Sequence, residues 1–220
     1  MINTPNKQTT YFIVVTQAIM VLWSVASSLL HAGPLYAYII TVGSFVVYAI
    51  YAFLKKNDLI KKLLIFGFVA GVLELWADHY SVSVIKTLIY PAHEGIIVNS
   101  PYYMPFSWAI ALAQLGYYAL LLTDKKGVWV AAAVITISGG FYIPLYEHLA
   151  KDANWWYYKD CKMLFNAPYY IILCEALLSA ALPFLTKWIA GKNMGYSLIA
   201  GIIQGVWIYL SAVIAYNIVA

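Results

Sequence analysis

Glu74 and Asp78 stand four residues apart in the run Leu73-Glu74-Leu75-Trp76-Ala77-Asp78-His79-Tyr80. On a helix that spacing puts both carboxyls on one face. Glu175 follows Pro168 by seven residues in a second apolar run, and Glu147-His148 closes a third. The chain has no arginine, and its 13 basic residues are lysines at the ends of apolar stretches. These acids therefore have no evident cationic neighbour within a bilayer. An ionisable side chain at such depth costs about 2.5–3.5 kcal/mol on insertion scales and normally faces a cavity or a partner. Desolvation without a counter-charge favours the neutral acid, and two acids on one face titrate apart. A neutral carboxylic acid in an apolar pocket is a proton donor.

Such groups suit acid-initiated chemistry on a greasy substrate. Glu74 or Glu175 would supply the proton, and Asp78 would stabilise the cation or activate water, with Glu147 as a fourth acid. Trp76, His79, Tyr80, Trp108 and Tyr169 are candidate substrate contacts. Each acid also has a plain structural reading. Glu175 would bond a tyrosine or a carbonyl between helices, and Glu147 with His148 would be solvated at the interface. His31 and His93 read as loop residues.

A metal centre is the rival constellation, with Asp78, His79, Glu147 and His148 as nitrogen and oxygen donors. No two histidines share a helix at i,i+3 or i,i+4 spacing, so no metal and no cofactor is expected. The last apolar run has no lysine for a Schiff base, which argues against a retinal protein. The absence of the guanidinium fork argues against a nucleic-acid partner. Cys161 and Cys174 imply no disulfide framework.

These residues must be positioned by helices. Of the 220 residues, 64% are hydrophobic and 10% charged, where soluble domains carry about 25% charged residues. The composition predicts an all-α polytopic membrane protein, a single domain over 1–220. A span needs about 20 mostly apolar residues, and seven are predicted: Thr10–Leu30, Leu35–Leu54, Leu63–Lys86, Tyr102–Leu122, Val128–Leu149, Pro168–Thr186 and Tyr196–Val219. The first is too long for the apolar region of a signal peptide. Lysines set the orientation. Lys7, Lys55, Lys56, Lys61, Lys62, Lys125, Lys126, Lys187 and Lys192 fall on one side, against Lys86, Lys151, Lys159 and Lys162 on the other. That bias predicts a cytoplasmic N-terminus and an outer C-terminus in the cell membrane. By the helical rise, Asp78 then sits about 12 Å and Glu74 about 18 Å below the outer end, with Glu175 about 10 Å deep.

Two long outer loops remain, Thr87–Ser100 and Ala150–Asn166. The second holds Trp155-Trp156-Tyr157-Tyr158, which reads either as a membrane anchor or as a lid. The segments Asn99-Ser100-Pro101-Tyr102-Tyr103 and Asn166-Ala167-Pro168-Tyr169-Tyr170 echo one another and signal two helix starts.

From Leu73 to Tyr118 the sequence resembles small polytopic proteins of isoprenoid metabolism. The shared pattern is an acid-bearing helix, a loop, and a helix entered through Pro101-Tyr-Tyr-Met-Pro105-Phe-Ser-Trp108. The stretch Trp155 to Pro183 is similar to the bacterial and archaeal carotenoid hydratases, and the size and intramembrane acids resemble the fungal meroterpenoid membrane cyclases. The resemblance implies hydration, cyclisation or isomerisation of an apolar, lipid-like substrate reached from the bilayer. The hydratases' full acid set does not map here residue by residue. A proton-coupled carrier using the same acids is the alternative, for which Gly139-Gly140 and Pro144 would mark a broken helix. A non-catalytic lipid-binding subunit is the third. No feature of the sequence fixes an oligomeric state.

Overall fold

The computed structural model describes residues 4–91 and 95–219; His93, expected in a loop, lies outside them. Among the described residues are eight α-helices: α1 Lys7–Leu30, α2 Pro34–Leu54, α3 Asp58–His79, α4 Met104–Lys126, α5 Val128–Asp152, α6 Tyr169–Ala180, α7 Leu182–Ala190 and α8 Met194–Val219. Pro183, in the first turn of α7, interrupts what is otherwise a single rod of 22 residues from Tyr169 to Ala190. Proline has no N–H to continue the helical ladder. Six rods are long and apolar enough to cross a membrane. The exception is α3, which carries Asp58, Lys61, Lys62, Glu74 and Asp78. This is an all-α, multi-pass membrane protein.

The acid-bearing helix is the central one. α3 packs on α2, α4 and α8 and buries residues on several faces. Bilayer lipid gives helices little hydrophobic reason to associate, so close packing of small residues does the work. A Cβ on Gly71 would sit 2.7 Å from Pro105 O in α4, and one on Gly205 would sit 2.5 Å from Leu73 Cβ in α3. Only glycine permits these approaches, which set α4 and α8 against α3 at the level of Glu74. Gly139-Gly140 serves likewise between α5 and α6, meeting Ser179 and Ala176. α5 stays helical through those glycines and through Pro144, so the interruption that the carrier alternative would place there is absent from α5.

The two ends of the bundle differ. At one end Asn6 caps α1 by accepting from Thr9 N at 3.0 Å. Asn57 caps α3 and donates to Thr9 Oγ1 at 2.9 Å. Lys62, buried there, donates from Nζ to Ala190 O at 2.9 Å, closing the carbonyl end of α7. The opposite end carries the long loops. Span 3 was expected as one helix to Lys86. Instead α3 stops at His79, a π-helical turn follows over Tyr80–Val84, and Lys86 has φ 57°.

Six two-residue strands follow, paired three ways. β1 Leu88–Ile89 pairs with β4 Tyr157–Tyr158, β2 Ile96–Ile97 with β3 Ser100–Pro101, and β5 Met163–Leu164 with β6 Ala167–Pro168, all antiparallel. Pro101 therefore sits in a hairpin rather than opening a span, and α4 starts at Met104 with Pro105 in its first turn. In the two tight hairpins Val98 and Phe165 take φ 60° and 54°. That conformation costs an L residue roughly 1–2 kcal/mol.

Candidate functional site

One cavity lies between the helices just beneath these loops, with a volume of about 100 Å³. Glu74 and Asp78 from α3, Glu147 from α5 and Glu175 from α6 all reach its wall. The first, second and fourth are 3%, 7% and 3% exposed. Two local rules bring them together. The four-residue spacing stacks Glu74 and Asp78 on one face of α3, where their side chains lie against each other. The glycine contact then draws α6 against α5 and carries Glu175 inward. No lysine or histidine lines the cavity among the described residues.

The acids are not equivalent. Asp78 Oδ2 accepts from the Tyr90 hydroxyl at 2.5 Å. Glu147 Oε2 accepts from the Trp156 indole Nε1 at 2.6 Å. Indole nitrogen is a donor only, so the direction of that bond is fixed. Glu74 Oε2 and Glu175 Oε2, by contrast, are buried without a hydrogen-bond partner. Two carboxyls are held by donors and two each present a free oxygen. Burial pushes the Tyr90 phenol well above its usual range, and the carboxyls of Asp78 and Glu74 push it further. Burial and the neighbouring Glu147 do the same for Tyr158. Both phenols remain protonated donors.

The loops form the roof. Trp155, Trp156 and Tyr158 are buried and line the cavity, as does Tyr90. Of the two readings of the aromatic cluster, the lid is the one with this geometry; Tyr157 alone of the four points outward. Tyr142 and Tyr146 form the floor, and from them a chain of hydroxyls and one amide runs on beneath it. Tyr146 and Tyr142 bond each other at 2.9 Å, Tyr142 donates to Gln114 Oε1 at 2.8 Å, and Gln114 Nε2 donates to Tyr48 at 3.1 Å. On the remaining side the wall is Met20 and Ser24 of α1 with Ala37, Ile40 and Thr41 of α2.

Of the expected substrate contacts, Trp108 lines the cavity. Trp76, His79 and Tyr80 do not: they border a separate shallow groove between α3 and α8 with Tyr209. A helix turns about 100° per residue, so Trp76, two residues from Glu74, points to the opposite side and is 56% exposed. Tyr169 is exposed while Tyr170 is buried. His79 and His148 bond loop asparagines instead, Asn99 at 2.5 Å and Asn166 at 3.3 Å. The described residues contain no group of three or more metal-type ligands. Cys161 and Cys174 are unbridged. Sequence reasoning missed Tyr90, Tyr142 and Tyr146. Its one usable signal was that Tyr142 and Tyr146, four apart, share a face with each other.

Fold and cavity together define a multi-pass helical membrane protein with a buried, acid-walled chamber. The chain belongs to the family described as a domain of unknown function, DUF6989, whose family model matches residues 75–219. Asp78, Glu147, Glu175 and the whole lid fall within that match, while α1, α2 and Glu74 precede it. Neither the curated proteins nor the solved structures contain a match to the chain.

Proposed function

We propose that this protein is a membrane enzyme that protonates an isoprenoid-type lipid inside the acid-walled chamber. Glu74 or Glu175 gives its proton to a C=C bond or an epoxide of the substrate. The resulting carbocation faces the Asp78 and Glu147 carboxylates and the Trp108 ring. It then either loses a proton to Asp78, giving an isomerised or cyclised product, or takes water, whose proton goes to Asp78. The observation that carries this reading is the convergence of four carboxyls, two with a free oxygen, on one cavity whose wall contains no cation among the described residues.

Size narrows the substrate. A cavity of about 150 Å³ holds a benzene ring, so about 100 Å³ accommodates roughly one isoprene unit. A longer substrate keeps its tail in the bilayer, passing between α1 and α2 where Ser24, Ala37 and Thr41 are the small side chains of the wall. We further propose that α3 is a seventh span and that the lid end faces outward in the cell membrane. The lysine bias supports this, since nine of the 13 lie at the capped end of α1 and α3.

The test is extraction and mass analysis of lipids that co-purify with wild type and with Glu74→Gln. The variant should retain an unconverted isoprenoid; ordinary phospholipid alone in both samples sinks the proposal. A proton-coupled carrier is the second reading, favoured by the hydroxyl chain from Tyr146 to Tyr48 below the cavity. It predicts proton flux across sealed vesicles, which the enzyme does not produce.

A further inference from the structure

The acid-bearing helices and the loops that follow them are built twice. Asp78-His79 ends α3, and Glu147-His148 lies in the last turns of α5. Ten residues after each acid comes a two-residue strand, β1 at Leu88 and β4 at Tyr157. A residue with φ near 55° precedes each strand, Lys86 at 57° and Asn154 at 56°. A tight hairpin then follows, with Val98 or Phe165 at φ 60° or 54°. Next in each comes an asparagine that bonds the histidine of its own unit, Asn99 to His79 and Asn166 to His148. The sequence separations are 20 and 18 residues. Each unit closes with Pro-Tyr-Tyr, which precedes α4 in the first and runs into the start of α6 in the second, and this is the pentapeptide echo in the sequence.

The two units meet through their equivalent strands. β1 and β4 pair antiparallel, with Leu88 opposite Tyr158 and Ile89 opposite Tyr157. This is the pairing a local twofold axis produces, since each strand presents its first residue to the other's second. One step along the same ribbon, Tyr90 stands beside Trp156, with ring centroids 6.4 Å apart. Both point down into the cavity, and each donates to the acid of its own unit: Tyr90 to Asp78, Trp156 to Glu147. Glu74 and Glu175 lie outside this repeated pattern and receive no such bond at Oε2.

From this arrangement we infer that Tyr90 and Trp156 are positioning residues, a two-pronged clamp that holds Asp78 and Glu147 as hydrogen-bonded carboxylates and so sorts the four acids into acceptors and donors. A hydrogen bond donated to a carboxylate favours its ionised form, and bonds to a charged group are the strong ones. The same oxygen cannot then donate a proton to substrate. Glu74 and Glu175, with no donor at Oε2, are left as the groups that hold protons. Around Asp78 the facing titratable groups are Glu74 on its own helix, Tyr90 and Tyr158 from the lid, Glu147 from α5 and Glu175 from α6. None carries a positive charge, so the lid stabilises these carboxylates through hydroxyl and indole donors: Tyr90 and Trp156 make the short bonds, with Ser100 beside Asp78 and Tyr158 beside Glu147.

The division of labour rests on the proposed acid chemistry, but its test needs no turnover. The full-length protein in lipid nanodiscs is measured by infrared spectroscopy in the carbonyl-stretch region of protonated carboxyls, in H₂O and D₂O. Wild type should show bands that disappear in Glu74→Gln and in Glu175→Gln and persist in Asp78→Asn and Glu147→Gln. Tyr90→Phe, which removes a single oxygen, should gain one band, and that band should vanish again in Tyr90→Phe/Asp78→Asn. Trp156→Phe should gain a band assignable to Glu147 in the same way, and serves as the second test should Tyr90→Phe fail to fold. An unchanged carbonyl region in a folded clamp variant overturns the inference, as does a wild-type band that Asp78→Asn removes. Either failure leaves the lipid-extraction test of the proposed function standing. The converse also holds: a clamp that behaves as described in a protein carrying only phospholipid would retain the sorting and lose the isoprenoid.

Discussion

Glu74 and Asp78 touch one turn apart on α3, yet only Asp78 receives a donor from the lid, Tyr90 at 2.5 Å. Two chemically similar groups on one helix face are thereby given different surroundings. In the proposed chemistry this asymmetry, rather than the presence of buried acids alone, gives the cavity its direction. Positioned acid–base groups typically contribute about 10²–10⁴-fold to a rate. Glu74→Gln should therefore lower turnover of the extracted lipid by at least about 10²-fold while the thermal transition of the detergent-solubilised protein stays in place. Retained activity would remove Glu74 from the donor role.

Closing the side of the cavity should separate access from chemistry. Ser24 in α1 and Ala37 in α2 are buried small residues in the wall that precedes the family match. Ser24→Trp is expected to lower kcat/KM for a long-chain substrate and to leave a short, soluble analogue much less affected. Equal losses for both would argue against passage between these helices.

The helix-packing argument makes a stability prediction. Gly205→Ala places a methyl 2.5 Å from Leu73 Cβ, and overpacking of this kind typically costs about 1–3 kcal/mol. Gly43→Ala, whose added Cβ would meet nothing within 4 Å, is the control. Comparing their unfolding midpoints in detergent checks the claim, and equal midpoints would refute it.

Orientation is open to labelling. In a Cys161→Ser background, Asp160→Cys at the lid end should react with a membrane-impermeant thiol reagent on intact cells. Lys56→Cys at the opposite end should react only after permeabilisation. The reverse pattern would invert the proposed topology.

How much of this was legible beforehand follows from which signals survive in a greasy sequence. Long apolar runs showed the helices because about 20 residues must cross the bilayer whatever their neighbours are. Glu74, Asp78, Glu147 and Glu175 stood out because acids are rare and expensive there. Tyr90, Tyr142 and Tyr146 did not, since tyrosine occurs 20 times in the chain and its type alone cannot separate a cavity hydroxyl from an interfacial one. The lid ribbon was invisible for a related reason. Two-residue strands have no room for an alternating pattern, and β1 meets β4 across nearly 70 residues of chain. Trp76, His79 and Tyr80 were drawn toward the site by sequence proximity to the acids, whereas helical rotation turns them into the α3–α8 groove.

The turn between α1 and α2 is stitched to the start of the α5–α6 loop. Gly33 N donates to Ala153 O at 2.9 Å, Trp155 Nε1 donates back to Gly33 O at 3.0 Å, and His31 Nδ1 bonds Asp152 O at 2.7 Å. Trp155 is also part of the roof. Any parting of α1 from α2 would therefore tug on the ceiling that carries Trp156 and its bond to Glu147. On the proposed reading the side entrance and the roof are tied together by these bonds, so a guest that parts α1 from α2 would also pull on the bond that holds an acid.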